Sequence, residues 1–489
     1  MELIINFIAD FLWDWPLIVT ILSTGIYYTL TCKYFQIKYF KHICKSTLGS
    51  SKHIKSDHAK RNDNANGLTT LETFFTVIAT TLGVGNIAGV TTAILLGGAG
   101  ALFWMIVTGM IGMIIKMAEV TLAVYYRDEN EDGSFESGPM HYIEKGIGVC
   151  MNFSSMHLPI AIFCIGIMST LFITTQNYHA SVAISRNFNI DVVCIAFIYA
   201  VILYYSIYKG IKAVSKIFKI MIPIISLIYI GSGILVILRN IHLFFPSIKL
   251  ILLDAFNINA LFGGVAGKGI AEAVRQGVSR AVYSNEAGWG TTPMIHAKAN
   301  TDHPIKIGFW GAIEVFFDTI IICCTTGIVI VIAMVSGNLS PGDEAVIKAF
   351  SMGIGDGAKV IIPIIIFLFG LTTSIGWYSY YETIFRFIHK RSRVNVLPLI
   401  KIMKYIYPLP GFLMTLYVSI NGVPGKLLWA YSDILAGLPT FINIFAVLIL
   451  SNKFFDLLED YELRYIKKVE PEEKIPIFFK EENNEYYNF

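Results

Sequence analysis

Residues 80–89 read Thr-Thr-Leu-Gly-Val-Gly-Asn-Ile-Ala-Gly, in the middle of an apolar segment long enough to cross a membrane. Glycine costs roughly 1 kcal/mol against alanine inside a helix, so Gly83 and Gly85 beside Asn86 predict an interruption of that segment. Backbone freed from a helix at membrane depth is tolerated only where protein buries it or where it lines a polar cavity. The interruption is therefore a candidate binding site. Half-helix N-termini offer N–H groups and a positive dipole end to an anionic group, while half-helix C-termini and unwound carbonyls offer oxygen to a cation.

Further polar residues stand inside other apolar segments. Thr372, Thr373 and Ser374 carry hydroxyls, and hydroxyls beside freed carbonyls make the oxygen shell a small cation needs. The competing reading is that each bonds back to its own helix. Gln176 and Asn177 could read an amino-acid backbone or tie helices together, and Trp377 could close a pocket over a small side chain or simply pack. Ionisable residues inside a membrane segment are functional candidates by default. Lys116 and Glu119 have helical spacing and read as a structural pair. Asp318 is open to coupling, gating or a hydrogen bond between helices.

Composition dictates the elements that must hold these residues. Of 489 residues, 55% are hydrophobic and 15% charged, with the charge confined between long apolar blocks. That pattern predicts an all-α polytopic membrane protein and stands against a soluble one. A net charge of +3 gives no reason to expect nucleic acid as a partner. Eleven candidate spans centre on residues 16–34, 71–96, 101–125, 157–184, 192–208, 217–238, 259–273, 307–335, 360–385, 397–420 and 427–450. One set of alternate loops collects Lys38 to Arg61, then Lys209 and Lys212, then Arg275, Arg280 and Lys298, then Lys390, Arg391 and Arg393. Basic residues accumulate on the cytoplasmic side, so the N-terminus is expected outside and the C-terminus in the cytoplasm. No cleavable signal peptide is expected, because the N-terminus lacks a basic region and the first apolar block is long enough to remain as an anchor.

Setting the first span aside leaves ten, five and five. The second span carries the break at Gly83, and the seventh, opening the second half, carries Gly263, Gly264, Gly267 and Gly269. Glycine-interrupted segments at corresponding places in two halves point to the substrate site of an inverted-repeat transporter; close helix packing is the alternative. A zwitterionic amino acid together with Na⁺ would satisfy both kinds of half-helix end. The expected division is an extra N-terminal transmembrane helix (1–35), a basic cytoplasmic loop (36–68), two five-helix repeats (69–240 and 241–451) and a solvated cytoplasmic tail (452–489).

Other chemistries find little support. His58 and Asp63 have the His-x4-Asp spacing of some membrane acyltransferases, but nothing beside them builds a pocket. The seven cysteines show no paired metal-ligand spacing. There is no His-Glu-x-x-His, no Gly-x-Ser-x-Gly and no clustered Asp/His set for an enzyme. Nor is there a repeated pore loop or charged ring for a channel.

Several longer motifs occur in order: Gly83-Val84-Gly85-Asn86-Ile87-Ala88-Gly89-Val90, Gly97-Gly98-Ala99-Gly100-Ala101 with Phe103-Trp104-Met105, Gly138-Pro139-Met140, Ser284-Asn285-Glu286-Ala287-Gly288, and Thr372-Thr373 followed by Gly376-Trp377. On these motifs the sequence resembles the alanine or glycine:cation symporter family from about residue 71 to 450. The resemblance implies a LeuT-type fold of two inverted five-helix repeats with one additional N-terminal helix. It implies Na⁺-driven import of a small neutral amino acid, alanine or glycine most often and glutamine in some members. It further implies a multi-pass protein of a bacterial or archaeal plasma membrane, with Na⁺ as coupling ion, no organic cofactor and no obligatory protein partner. Carried over by position, the substrate would meet Gly83, Val84, Gly85 and Asn86, with Gln176, Gly263, Gly264 and Trp377 as further walls. Na⁺ would take carbonyls near Ala79 and Leu82 and the hydroxyls of Thr372 and Thr373. Ser284, Asn285, Glu286 and Asp318 would serve as gate or structure. Departures from the family pattern include Ala99, Ser137, His141, Ala281 and Tyr381. Val265 stands where an aromatic is expected and would enlarge the pocket.

Overall fold

The interrupted segment begins on a capping box. Thr69 Oγ1 accepts from Glu72 N at 3.3 Å, while Glu72 Oε2 accepts from Thr69 N at 3.1 Å, which satisfies backbone donors that a helix start leaves unpaired. In the computed structural model, which describes residues 11–13, 15–49, 68–153, 155–171, 175–256, 267–339, 345–392, 395–422, 425–471 and 475–482, the chain is helical apart from a hairpin of β1 (Asp128–Glu129) and β2 (Phe135–Glu136) and one isolated bridge. After α1 (Trp15–Thr31) come α2 (Thr70–Thr81) and α3 (Ala88–Gly97), the two parts of the interrupted segment. They are bent by 60° at the break. Next follow α4 (Gly100–Tyr125), α5 (His157–Ser169), α6 (Thr175–Phe188), α7 (Val192–Lys209), α8 (Ile211–Arg239) and α9 (Ile241–Ala255). The second half holds α10 (Gly267–Asn285), α11 (Pro304–Val335, with a wide turn at Phe316–Cys323), α12 (Ala345–Ile354), α13 (Ala358–Arg391), α14 (Leu397–Ile406), α15 (Pro408–Asn421), α16 (Gly425–Ile449) and α17 (Ser451–Tyr461).

Among the described residues, six helices are long and apolar enough to cross a membrane, and seven if the bent pair is one span. The protein is therefore a multi-pass membrane protein. Its most extensive packing pairs α4 with α11, α4 with α10, α6 with α13, α3 with α10, and α7 with α15. Close approach is made possible by small residues. At Gly376 of α13, an added β-carbon would overlap the Thr80 side chain of α2. A Gly376→Ala variant is expected to lose about 1–3 kcal/mol of stability from overpacking, read as a lower melting temperature of the purified protein.

Three expectations are corrected here. The seventh span does not end near residue 273: α10 runs to Asn285, so Arg275 and Arg280 lie in a helix and not in a basic loop. Arg280 is tolerated there because Asp433 of α16 accepts its guanidinium at 2.6 Å. Residues 453–461 do not belong to a solvated tail. In α17, Phe454, Leu457, Leu458 and Tyr461 are buried, with the Tyr461 ring 5.0 Å from that of Phe309 in α11 and the Phe454 ring 5.6 Å from that of Tyr28 in α1. The basic loop likewise opens with two short helices, Phe35–Lys38 and Phe40–Thr47, which bury Phe35 and Ile43. Gly263 and Gly264, together with His58 and Asp63, lie outside the described residues.

Candidate functional site

The break is built by extended backbone. Leu82 leaves α2 at ψ 90° and Gly83 follows at φ −124°, ψ −164°, before a single tight turn at Val84–Asn86 leads into α3. Two side chains from other helices meet the freed backbone. Gln176 Oε1 in α6 accepts from Val84 N at 3.1 Å, and the Thr373 hydroxyl in α13 donates to the Leu82 carbonyl at 3.1 Å. An added β-carbon on Gly83 would lie 2.8 Å from Thr373 Oγ1 and 3.1 Å from Gln176 Oε1, so only glycine admits both. The cation set is split. Ala79 and Leu82 are buried at the break, and Thr373 reaches it, but Thr372 Oγ1 donates to Phe369 O of its own helix at 3.0 Å.

Asn86 is the hub of a second layer. Its Oδ1 accepts from Gly83 N at 2.9 Å, closing the turn, and its Nδ2 donates to Ser284 Oγ at 2.6 Å and Asp318 Oδ1 at 2.5 Å. Asp318 also accepts from the hydroxyls of Ser284 at 2.8 Å and Thr319 at 3.1 Å. The Asn86 carbonyl takes the Thr326 hydroxyl at 2.8 Å. Asn285 donates to Thr319 Oγ1 at 2.9 Å. All these residues are buried, and the Asp318 carboxylate ties the break, through Asn86, to α10 and α11.

Beside the break lies a cavity lined by Gln176, Asn177, Thr170, Thr175, Tyr199, Tyr283, Trp289, Ser374, Trp377, Tyr381 and Tyr407, with Leu171, Leu203, Pro408, Gly411, Ser432 and Leu435. Of the expected substrate set, Gln176 and Trp377 line it. Gly83, Val84, Gly85 and Asn86 are one side chain removed, behind Gln176 and the Tyr283 ring that faces Gly85. The lining carries hydroxyls, amides and aromatic faces and no charged side chain, which suits a small ligand without net charge. Hydroxyl pairs brace it: Thr170 with Tyr381 at 2.8 Å and Tyr199 with Ser374 at 2.7 Å. Apart from Trp377, the aromatic lining is not legible in the sequence, because tyrosines in apolar spans read as packing residues.

Lys116 and Glu119 form the expected buried pair at 3.6 Å. Lys116 Nζ also donates to Glu286 O at 2.6 Å and Thr292 Oγ1 at 2.8 Å. Outside the spans, Arg391 at the end of α13 bonds Glu144 and, at 2.8 Å, Asp128, which Lys145 also reaches at 2.6 Å. Burial alone would raise the Asp128 carboxyl, but His141, Lys145 and Arg391 together hold it well below the usual carboxylate range. No group of three or more metal-ligating side chains occurs among the described residues.

Comparison with known proteins gives four further findings. The model of the sodium:alanine symporter family matches residues 1–475. The sodium/alanine symporter AgcS of Methanococcus maripaludis is 32% identical over 460 residues, covering 92% of this chain and 94% of its own. The probable sodium/glutamine symporter GlnT of Bacillus subtilis is 30% identical over 484 residues, covering 98% and 94%. The solved structure of a Na⁺-coupled sialic acid symporter shares the fold, with a TM-score of 0.53 at 11% identity, covering 95% of this chain and 93% of that one.

Proposed function

The chain belongs to the sodium:alanine symporter family, a family of secondary transporters and not of enzymes, and on that premise we propose that it imports a small neutral amino acid, alanine or glycine, with Na⁺ by alternating access. The observation that carries this reading is the single unwound turn between α2 and α3. Its Val84 amide is held by Gln176 Oε1, an acceptor that a substrate carboxylate would replace, and its Leu82 carbonyl accepts from the Thr373 hydroxyl, two oxygens that a small cation would bridge once the hydroxyl turns its proton away. Two ligands that need the same turn are thermodynamically coupled, because each favours the one backbone arrangement the other requires.

The proposed substrate set is Gly83, Val84, Gly85, Asn86, Gln176 and Trp377, with Gly263 and Gly264; the proposed Na⁺ set is Ala79, Leu82, Thr373 and Thr372. Glutamine is the alternative substrate within the same fold. The architecture proposed is the LeuT-type inverted repeat of eleven spans, divided at 69–240 and 241–451 after an N-terminal helix, in a bacterial or archaeal plasma membrane with the C-terminus cytoplasmic. Its support is the packing of α3 on α10, α4 on α11, α6 on α13 and α7 on α15, which pairs successive elements of one half with their counterparts in the other.

Reconstituted into liposomes, the protein should take up labelled alanine or glycine only under an inward Na⁺ gradient. Uptake that persists unchanged when choline replaces Na⁺ overturns the proposal. A second reading, coupling to H⁺ through Asp318, is favoured by the contact of that buried carboxylate with Asn86. Varying the pH and Na⁺ gradients independently separates the two.

A further inference from the structure

Trp377 lines the cavity, and the residue that fixes its indole is Glu286. Trp377 Nε1 donates to Glu286 Oε1 at 3.1 Å, while Glu286 Oε2 accepts from Tyr380 OH at 3.2 Å and from the Thr291 hydroxyl. The Glu286 carbonyl takes the backbone N–H of Trp289 at 3.1 Å and the Lys116 ammonium at 2.6 Å. The rings of Trp289 and Trp377 meet edge to face at 5.2 Å, so the carboxylate fixes the Trp377 indole directly and the Trp289 ring packs against that fixed indole. Glu286 joins three elements: the end of α10, Trp377 and Tyr380 of α13, and Lys116 of α4.

The backbone says that this side chain is required. Glu286 stands just past the end of α10 at φ 53°, in the left-handed region. Glycine or asparagine fits such a helix end without strain, and a β-carbon there is unfavourable. Glu286 is also 2% exposed, and a buried carboxylate is costly unless its hydrogen bonds are all made. A helix end alone needs neither. A strained, buried acid at the rim of a cavity points to a functional demand on its carboxylate.

We propose that Glu286 is a positioning residue for transport: its carboxylate orients the Trp377 indole, against which the Trp289 ring packs, as one wall of the cavity. The proposal rests on the reading of this cavity as the substrate site. Glu286 touches the reacting ligands only through the indoles, so its removal weakens substrate binding by letting Trp377 turn.

The test is a comparison of uptake kinetics in proteoliposomes for the unaltered protein and for Glu286→Ala, Glu286→Gln, Trp377→Phe and the Glu286→Ala, Trp377→Phe double variant. Glu286→Ala is expected to raise KM for alanine about tenfold, the scale of one lost charge-assisted hydrogen bond. Maximal rate per folded transporter should change less. Trp377→Phe, which keeps a ring but loses the N–H, should raise KM comparably, and the double variant should be no worse than the poorer single, because both act through one contact. Glu286→Gln should come within about twofold of the unaltered protein: its amide oxygen can accept from the indole and its NH₂ can donate to the two hydroxyls. Multiplicative effects in the double variant, or a Glu286→Ala protein that loses only its folded fraction with KM unchanged, overturn the proposal. Should Glu286→Ala not fold, an unchanged KM in Trp377→Phe or a Glu286→Gln protein with KM raised tenfold overturns it. If the unaltered protein takes up no neutral amino acid under a Na⁺ gradient, the transport reading fails first, whatever the variants do.

Discussion

A Thr372→Val, Thr373→Val double variant should need on the order of tenfold more Na⁺ for half-maximal uptake, equivalent to about 1.4 kcal/mol of lost cation binding. Valine keeps the branched shape and removes both hydroxyls, so packing of α13 against α2 is preserved. The structure divides the effect unequally. Thr373 donates to the Leu82 carbonyl across the helix interface, whereas Thr372 donates within its own helix to Phe369 O. Thr373→Val alone should therefore carry most of the shift, and Thr372→Val little. The measurement is a Na⁺ titration of initial uptake rates at saturating alanine. An unchanged half-saturation in Thr373→Val would move the cation away from the Leu82 carbonyl.

Asp318→Ala should lower uptake more than about a hundredfold, a loss on the order of 2.7 kcal/mol in the transport barrier. Its carboxylate accepts from Asn86, Ser284 and Thr319. The two hydroxyls can turn to other acceptors. The Asn86 amide cannot, because its Oδ1 is fixed on Gly83 N; one N–H of its Nδ2 keeps Ser284 Oγ, while the other loses the carboxylate, and a buried donor left unpaired costs about 1–3 kcal/mol. The break would then lose its shape and both proposed ligand contacts with it. Initial rates together with a melting curve check this; near-native uptake by a folded Asp318→Ala protein would show that the turn holds itself. Asp318→Asn separates shape from charge, since asparagine keeps one acceptor on the same branch and removes the ionisable group.

The break could be read from sequence because it violates a strong local rule: paired glycines in an apolar segment cost stability unless the interruption is needed. Thr373 and Gln176 could be picked out for a related reason, as polar groups at membrane depth. Asp318 was noticed on the same ground, but its partners Asn86, Ser284 and Thr319 come from three separate elements, and no local pattern joins them. The cavity wall stayed hidden, since Tyr199, Tyr283, Trp289, Tyr381 and Tyr407 look like ordinary apolar filling until the fold sets them around one space. Arg280 misled in the opposite direction. A charge normally ends a span, and the partner Asp433, some 150 residues later, helps to make it tolerable inside one. In α17, the apolar residues at 454, 457, 458 and 461 have helical spacing, but the dense charge between them resembles a solvated extension.

That last helix has a consequence for how the molecule is made. Its apolar face closes against Phe309 of α11 and Tyr28 of α1, and Glu462 just beyond it bonds Tyr39. A ribosome adds about 5–20 residues per second, so the groove between α1 and α11 stays open for roughly 6–25 s between synthesis of α11 and of α17. Membrane insertion of the earlier spans can precede completion of the folded body, which waits for its final segment. A reading-frame stop near residue 450 would leave most spans intact and the nascent protein permanently unfinished, a natural substrate for quality-control proteolysis.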